Sequence, residues 1–205
     1  MKTFMLEDIL KTDYCHPRYD VDIITRLLGD RESATVLDLL DATLIPVEDR
    51  LWLVFELGIL EDRTVYAFRA RLAFFDVDIY EKYYPADRRV RDCAEAWQKL
   101  ADGDEDVDIA AAGDAAWAAA WDATGDATGD AWWAVAWAAA GAAAGAAARA
   151  AAGAAVWAAA GDAAWAAARA AARAAAWDVT QDAARAAAWK NILAWLREII
   201  VEREE

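Results

Sequence analysis

A four-residue register runs through the second half of this 205-residue chain and constrains its fold more than any other feature. From Gly113 to Trp189 every fourth residue is Gly, Trp or Arg, with a single Gln at position 181, and the residues between are almost all Ala, Asp or Thr. Ala has the lowest free-energy cost of any residue in a helix. Internal repeats usually indicate architecture before any motif does. The register therefore predicts tightly packed helices, and it indicates no particular chemistry.

One continuous helix is not expected, because four residues advance by about 400° around a helix of 3.6 residues per turn. The marked position drifts by about 40° with each repeat, so a fixed neighbour faces it for only a few repeats. Breaks are expected where Gly is joined by the capping residues Thr and Asp, as at 123–131, 161–162 and 178–180. The predicted helices lie near 107–123, 130–160, 162–177 and 180–203. The last has the apolar stripe Ile192, Leu193, Trp195, Leu196, Ile199 and Ile200.

The shared register of Trp and Gly has an energetic explanation. A helical Gly costs about 1 kcal/mol relative to Ala. A buried Trp removes about 150–250 Å² from water, which is worth about 4–6 kcal/mol at 25 cal/mol/Å². Eight Trp side chains therefore outweigh seven Gly residues if each indole finds a recess beside Gly or Ala of a neighbouring helix. The register is expected to be a packing pattern.

The first half has the pattern of short amphipathic helices. A helix capped by Thr3 is expected through about Lys11, and another between Pro17 and Gly29. Further helices are expected over Thr35–Leu40, from Pro46 to Gly58, from Asp62 onward, and from Pro85 to about Gly103. No stretch alternates like a half-buried strand. The sequence predicts an all-α fold, a multi-helix bundle or helical array, in which an amphipathic region (1–103) and an Ala-rich tetrad-repeat region (104–205) pack together as one unit.

The charge is strongly acidic, with a net −15 over the chain. Residues 1–112 carry 25 acids and 14 bases, a net of −11, and residues 113–205 carry 11 acids and 7 bases, a net of −4. Binding to a nucleic-acid backbone needs clustered Lys and Arg, so this function is not expected. The balance permits a basic protein partner.

Localisation follows from similar arguments. The first residues, MKTFMLEDIL, have acids where a signal peptide needs an apolar core. The stretch 138–161 is mostly Ala and contains Arg149, so a membrane span is not expected there. Cys15 and Cys93 show no metal-ligand spacing. These features predict a reduced protein in the cytoplasm.

Catalytic constellations are scarce. His16 and Ser33 are the single His and Ser of the chain, which leaves little material for a nucleophilic triad or a His-based metal site. Carboxylate pairs such as Asp76 and Asp78 are explained by helix caps and solvated turns. We expect a protein without enzymatic activity, cofactor or metal.

A resemblance extends over roughly residues 30 to 200. The tetrads WDAT, GDAA, WAAA and RAAA, together with the preceding segments LLDATLIPVEDRLWLVFELGIL and RVRDCAEAWQKLADGD, resemble immunity proteins of bacterial toxin–immunity loci and of phage genomes. The resemblance implies a helical protein that neutralises a target by binding it. No functional residue is carried over from the family.

Two candidate surfaces follow, with different partners. Charged helices of the first half could cover a basic protein toxin or defence effector, in the manner of an immunity or phage anti-defence protein. This protein-partner surface comprises Asp38, Asp41, Glu48 and Asp49. Alternatively, a groove of indoles and guanidinium groups could sequester a small nucleotide immune signal, because these groups stack on bases and neutralise phosphates. This ligand-binding set comprises Trp165, Arg169, Arg173, Trp177 and Arg185. A third alternative is an oligomeric structural scaffold.

Overall fold

The computed structural model describes residues 3–5, 8, 25–26, 31–126 and 181–204, and this part of the chain contains six helices and one small sheet. The elements are β1 (Thr3–Met5), β2 (Ser33–Thr35), α1 (Val36–Leu40), α2 (Val47–Glu56), α3 (Asp62–Tyr80), α4 (Arg89–Asp102), α5 (Ile109–Asp126) and α6 (Gln181–Glu204). The predicted all-α class is confirmed. The helices predicted near 130–160 and 162–177 lie outside the described residues, as does all of the predicted helix between Pro17 and Gly29 except the helical residues 25–26.

The small sheet is a departure from the prediction. Strand β1 pairs antiparallel with β2, with Phe4 opposite Ala34, so the helix predicted to begin at Thr3 is wrong for residues 3–5. Phe4 is buried between exposed neighbours, which is the alternation of a strand. Three residues are too few for this alternation to be recognised in a sequence, and the pairing strand lies beyond residue 32.

Helices α1 and α2 begin and end on the residues that the sequence singles out. The Thr35 hydroxyl accepts the Asp38 N–H at 3.2 Å, while the Asp38 carboxylate accepts the Thr35 N–H at 2.8 Å. This reciprocal capping box satisfies two N–H groups at the start of α1. Pro46 is the N-cap residue of α2. Gly58, just beyond this helix, has φ +59°, as expected for a terminating Gly.

Helix α3 starts at Asp62 as predicted, whereas α4 starts at Arg89 rather than at Pro85. The reason is a turn before α4, in which the Asp87 N–H donates to the Tyr84 carbonyl at 3.1 Å. The Asp87 carboxylate then accepts the Arg89 N–H at 3.0 Å. The end of α4 at Gly103 agrees with the prediction.

The first of two hydrophobic cores joins distant parts of the chain. It contains the strands, α1, α2, one face of α3 and the predicted apolar stripe of α6. Val65, Phe68 and Leu72 of α3 pack there with Ile192 and Leu196 of α6. The last helix is therefore built into the same core as the first elements.

The second core lies between α3, α4 and α5. Helix α3 contributes Val77 and Tyr80, and α4 contributes Cys93 and Trp97. Helix α5 adds Ile109 and small side chains, so its backbone can approach closely. Both described ends of the tetrad-repeat region thus pack on residues 1–103, since α5 contacts α4 and α6 contacts α2 and α3.

The tetrad register on α5 and α6 does not mark a single buried face. Gly113 and Trp189 are buried, but Trp117 is 48% exposed. The buried face of α5 also carries Ala116 and Ala119. On a helix of 100° per residue these Ala positions lie about 60° and 120° to one side of Gly113, whereas Trp117 lies about 40° to the other. For Trp117, the prediction that the register buries its indoles is wrong.

Candidate functional site

The acidic residues predicted as a partner surface lie on α1, at its C-terminal end and in the first turn of α2. Asp38 is on α1 and Asp41 is the C-cap residue of that helix. Glu48 and Asp49 are in the first turn of α2, although the side chain of Glu48 lies outside the described part of the structure. The four positions therefore lie in one short segment of the chain, residues 38–49.

Asp38 has a structural role in this region. Besides the Thr35 N–H, its carboxylate accepts the Thr35 hydroxyl at 2.7 Å and the Arg31 guanidinium at 2.7 Å. These hydrogen bonds, those from Thr35 first, lower the pKa of Asp38 to about 2. The carboxylate is therefore charged at neutral pH, but its geometry is already set by the helix cap.

Asp41 links the connection between α1 and α2 to the last helix. The Arg197 Nε donates to its carboxylate at 3.1 Å, joining residues that are 156 positions apart in the sequence. Both side chains are about half exposed, at 47% for Arg197 and 55% for Asp41. An ion pair that is so open to water contributes about 0.2–1 kcal/mol and can exchange with another charged group.

The connection itself presents an apolar side chain to solvent. Leu44 is 66% exposed, while Ala42 and Ile45 on either side of it are buried. The backbone is held by hydrogen bonds from the Ala42 N–H to Leu39 at 3.2 Å and from the Ile45 N–H to Ala42 at 3.0 Å. Leu44 therefore projects from a turn with two buried anchors.

Arg50 of α2 links this turn to the end of α1 by a hydrogen bond. Its Nη1 donates to the Leu40 carbonyl at 2.5 Å, at the C-terminal end of α1, where helix carbonyls favour a cation. Burial lowers the pKa of Arg50, and the nearby charge of Asp41 opposes that shift. The guanidinium remains protonated at neutral pH. The turn is thus connected to both helices that flank it.

Sequence reasoning did not single out Leu44. The segment Leu44-Ile45-Pro46 contains two adjacent aliphatic residues, and no local signal tells which of them faces the core. Only the placement of Ile45 in the first core, at 1% exposure, turns Leu44 outward. We call Leu44 with Asp38, Asp41, Glu48 and Asp49 the Leu44 surface.

A cleft of about 450 Å³ opens near the other end of α1. It is formed by the start of α1, the turn between α2 and α3, the first turn of α3 and the last turns of α6. Its polar lining residues are Glu61, Thr64, Arg203 and Glu204. The sequence analysis missed this site, because its walls come from segments that are far apart in the chain and carry no shared motif.

The structure does not describe the side chains of the predicted ligand-binding set. Trp165, Arg169, Arg173 and Trp177 lie outside the described residues. Arg185 is in the first turns of α6, and its side chain is also outside the described part. The indole–guanidinium groove therefore stays a prediction.

Nucleophilic and metal-binding groups are few in the described part of the chain. Those residues include no group of three or more His, Cys, Asp or Glu side chains placed to hold a metal ion. Burial raises the pKa of the Cys93 thiol to about 12, with a smaller contribution from the charge of Asp76. A thiol in that state is a poor nucleophile, because the thiolate is the reactive form. The Leu44 surface and the cleft are therefore the features that favour binding.

Comparisons with known proteins add no further constraint. No family model, curated protein or solved structure matches this chain. In the part of the chain that the structure describes, no helix combines the length and the apolar character that crossing a membrane requires. The support for a function therefore comes from the Leu44 surface and the cleft.

Proposed function

We propose that this chain is a non-enzymatic, cytoplasmic binding protein that neutralises a basic protein toxin or defence effector, of the immunity or phage anti-defence type, by covering it with the Leu44 surface. The observation that carries the proposal is Leu44, exposed on a turn with buried anchors and surrounded in the sequence by four carboxylates. A single exposed Leu is common on protein surfaces. Its combination with a held backbone and with the acidic residues that flank the turn in the sequence supports an interface.

The held backbone favours tight binding. Every loop and side chain that must become ordered when two proteins bind lowers their affinity. The turn that carries Leu44 is already held by the buried Ala42 and Ile45 and by Arg50. A partner pocket that accepts Leu44 therefore gains burial of apolar surface with little loss of backbone freedom.

The charge favours a basic partner and rapid encounter. A net −15 steers a cationic protein toward the chain and repels acidic ones. At the surface itself, a basic group of the partner can replace Arg197 beside Asp41, because their exposed pair is weak. Asp38 is not expected to bind the partner directly, since it stays in the helix cap and is paired with Arg31.

The first experiment compares the wild-type protein with Leu44→Asp as affinity baits in extracts of the source cell, at low salt. We expect a basic protein to be retained by the wild type and lost with the variant. The purified partner should then bind about thirtyfold more weakly to Leu44→Asp, the effect of a hot spot worth about 2 kcal/mol. Co-production of the wild-type chain should restore growth to cells that are poisoned by the partner.

Tyr83→Asp is the matched control. Tyr83 is also an exposed, apolar side chain in a turn after a helix, at 51% exposure, but it lies beside the second core. We expect this variant to retain the partner and to protect cells as the wild type does. Equal retention by Leu44→Asp, Tyr83→Asp and the wild type would contradict the proposal, as would a partner that the wild type binds without protecting cells.

Asp49→Lys tests the electrostatic part separately. A reversed charge in the first turn of α2 should slow association with a basic partner and reduce the loss of affinity that added salt causes. Unchanged association kinetics at low salt would place the contact elsewhere.

Native mass spectrometry distinguishes this function from nucleotide sequestration. The protein is purified from cells without denaturing or high-salt steps, beside the double variant Arg169→Ala, Arg173→Ala. An added mass of a few hundred daltons on the wild type alone would replace the proposal with a nucleotide sponge. The same spectra give the subunit number, which tests the scaffold alternative.

A further inference from the structure

Exposed ion pairs connect α6 to neighbouring helices at two places that differ in their surroundings. Arg197 of α6 pairs with Asp41 at the end of α1, and Arg71 of α3 pairs with Glu198 of α6. The four side chains are between 47% and 55% exposed. The pairs are therefore alike in charge and in access to water, but the first belongs to the Leu44 surface and the second does not.

The Asp41 pair has the geometry of a guanidinium laid along a carboxylate. Arg197 Nε donates to one carboxylate oxygen at 3.1 Å, and Nη2 donates to the other at 3.4 Å. Such a two-point contact suits the planar guanidinium of an arginine, whereas a lysine ammonium is a single point charge. Asp41 therefore holds, within the chain itself, the kind of group that a basic protein would bring.

Asp41 directly precedes the turn that carries Leu44. The Ile45 N–H donates to the Ala42 carbonyl at 3.0 Å, and a turn of this kind keeps its first and fourth Cα atoms within about 7 Å. The side chains of Asp41 and Leu44 are both exposed, at 55% and 66%. A protein that covers Leu44 therefore comes close to Asp41 and to the guanidinium beside it.

Arg197 opposes a cationic protein at this place in two ways. It occupies the carboxylate of Asp41, and its own positive charge repels a second cation. The pair is nevertheless weak, because ion pairs so open to water change an equilibrium by only about fivefold or less. A guanidinium that arrives with a larger interface can therefore displace Arg197 into solvent.

We propose that Arg197 is a built-in competitor for Asp41, and that the partner covers Leu44 while an arginine of its own replaces Arg197. The exchange rests on the function proposed for the Leu44 surface, since it needs a basic partner there. A cationic protein without a pocket for Leu44 only exchanges one arginine for another, which gives it little net affinity. Arg197 thereby restricts binding to partners that also accept Leu44.

The first test compares Arg197→Ala with Arg71→Ala, using the basic protein that the wild type retains through Leu44. Each variant removes one positive charge from an exposed ion pair of α6, so both steer a cation equally. We expect Arg197→Ala to bind this protein about two- to fivefold more tightly than Arg71→Ala. Equal affinities, or weaker binding by Arg197→Ala, would overturn the proposal.

The carboxylates of the same two pairs give the second test. Asp41→Asn should weaken binding by about tenfold, mainly through faster dissociation, because the contact with the partner's arginine is covered in the complex. Glu198→Gln is the matched control, and it should change only the rate of association. Equal effects of the two variants would mean that the partner senses the acidity of the whole chain, and would reject Asp41 as the contact.

Exchanging the charges separates competition from a structural role of the pair. The double variant Asp41→Arg, Arg197→Asp preserves an ion pair and the net charge, and a thermal unfolding curve verifies that it is folded. We expect binding about tenfold weaker than that of the wild type, because a positive charge now precedes the turn of Leu44. Wild-type affinity would mean that the pair only fastens α1 to α6, and would reject the exchange.

The outcomes also distinguish this exchange from the proposed function. If Leu44→Asp loses the partner while Arg197→Ala and Arg71→Ala bind it equally, the interface stands and the competition fails. If the wild type retains no basic protein through Leu44, both fail. On the partner, surface arginines are replaced one at a time by lysine, and we expect about fivefold weaker binding at one position. Unchanged binding at every position would reject an arginine.

Discussion

Asp76 is a titratable residue in an unfavourable environment. It is fully buried on α3, and neither carboxyl oxygen has a hydrogen-bond partner within the described residues. Arg69, seven residues earlier on the same helix, has its guanidinium over the Trp97 ring, 4.7 Å from the ring centre. Burial raises the pKa of Asp76 well above its usual value. The carboxyl group therefore stays protonated well above the pH at which an exposed Asp ionises.

The sign of the pH dependence follows from that shift. The folded state holds the Asp76 proton more tightly than the unfolded state, whose pKa is about 3.9. The contribution of Asp76 to the free energy of unfolding is therefore greatest below about pH 4, and it is lost as the pH rises toward the raised pKa of the folded state. The half-buried carboxylate of Asp38, which Thr35 and Arg31 stabilise, acts in the opposite sense: its pKa of about 2 means that it contributes stability that is lost in acid.

Replacing Asp76 with Leu should stabilise the protein. An unsatisfied polar group costs about 1–3 kcal/mol when it is buried, and an apolar side chain avoids that cost. Urea unfolding at pH 5 and pH 8 measures the effect. We expect a gain at both values and a larger gain at pH 8, because the Asp76 contribution to wild-type stability falls as the pH rises from the unfolded pKa of about 3.9 toward the raised pKa of the folded state. Destabilisation by Leu, with Asp76→Asn unchanged, would mean that the carboxyl has a polar partner.

At the scale of the element, the ends of helices agree best with the sequence. Pro46 before α2, Asp62 at the start of α3 and Gly103 after α4 all lie where the residue types predict. These signals are local, since a cap depends on hydrogen bonds within one turn. The start of α4 is the exception, because the turn that Asp87 makes with Tyr84 takes the place of a first turn at Pro85.

Gly103 should be more sensitive to substitution than Gly58. Both have positive φ, at +98° and +59°, but a Cβ on Gly103 would lie 2.7 Å from Arg63 Nη2, whereas one on Gly58 meets nothing within 4 Å. Gly58→Ala should cost about 1 kcal/mol, the penalty of a left-handed conformation. Gly103→Ala should cost more, because it also displaces Arg63. Chemical unfolding of both variants measures the difference; equal losses would show that Arg63 moves away freely.

At the scale of the whole molecule, packing decides what the four-residue register does. Trp189 of α6 is 5% exposed in the first core, whereas Trp117 of α5 is 48% exposed. Both residues belong to the same sequence pattern, and the pattern cannot distinguish them. The 40° drift per repeat moves the register around the helix, so each indole meets whatever the fold places there.

Trp189→Ala and Trp117→Ala should therefore differ in stability. Removing the buried indole should cost about 3–5 kcal/mol, because it leaves a cavity. Removing the half-exposed one should cost about 1 kcal/mol or less. The two free energies of unfolding, measured in urea, give the comparison. Similar losses would mean that Trp117 is as well packed as Trp189.

The sequence by itself determined the helical class, the positions of most described helix ends and the acidic balance. Each of these depends on composition or on hydrogen bonds within a few residues of each other. The tertiary structure alone decided that β1 pairs with β2, that Leu44 faces solvent while Ile45 is buried, and that α6 completes the cleft beside Thr64. These outcomes depend on contacts between segments far apart in the chain. No local pattern encodes such contacts, because the free energy of packing belongs to both surfaces at once.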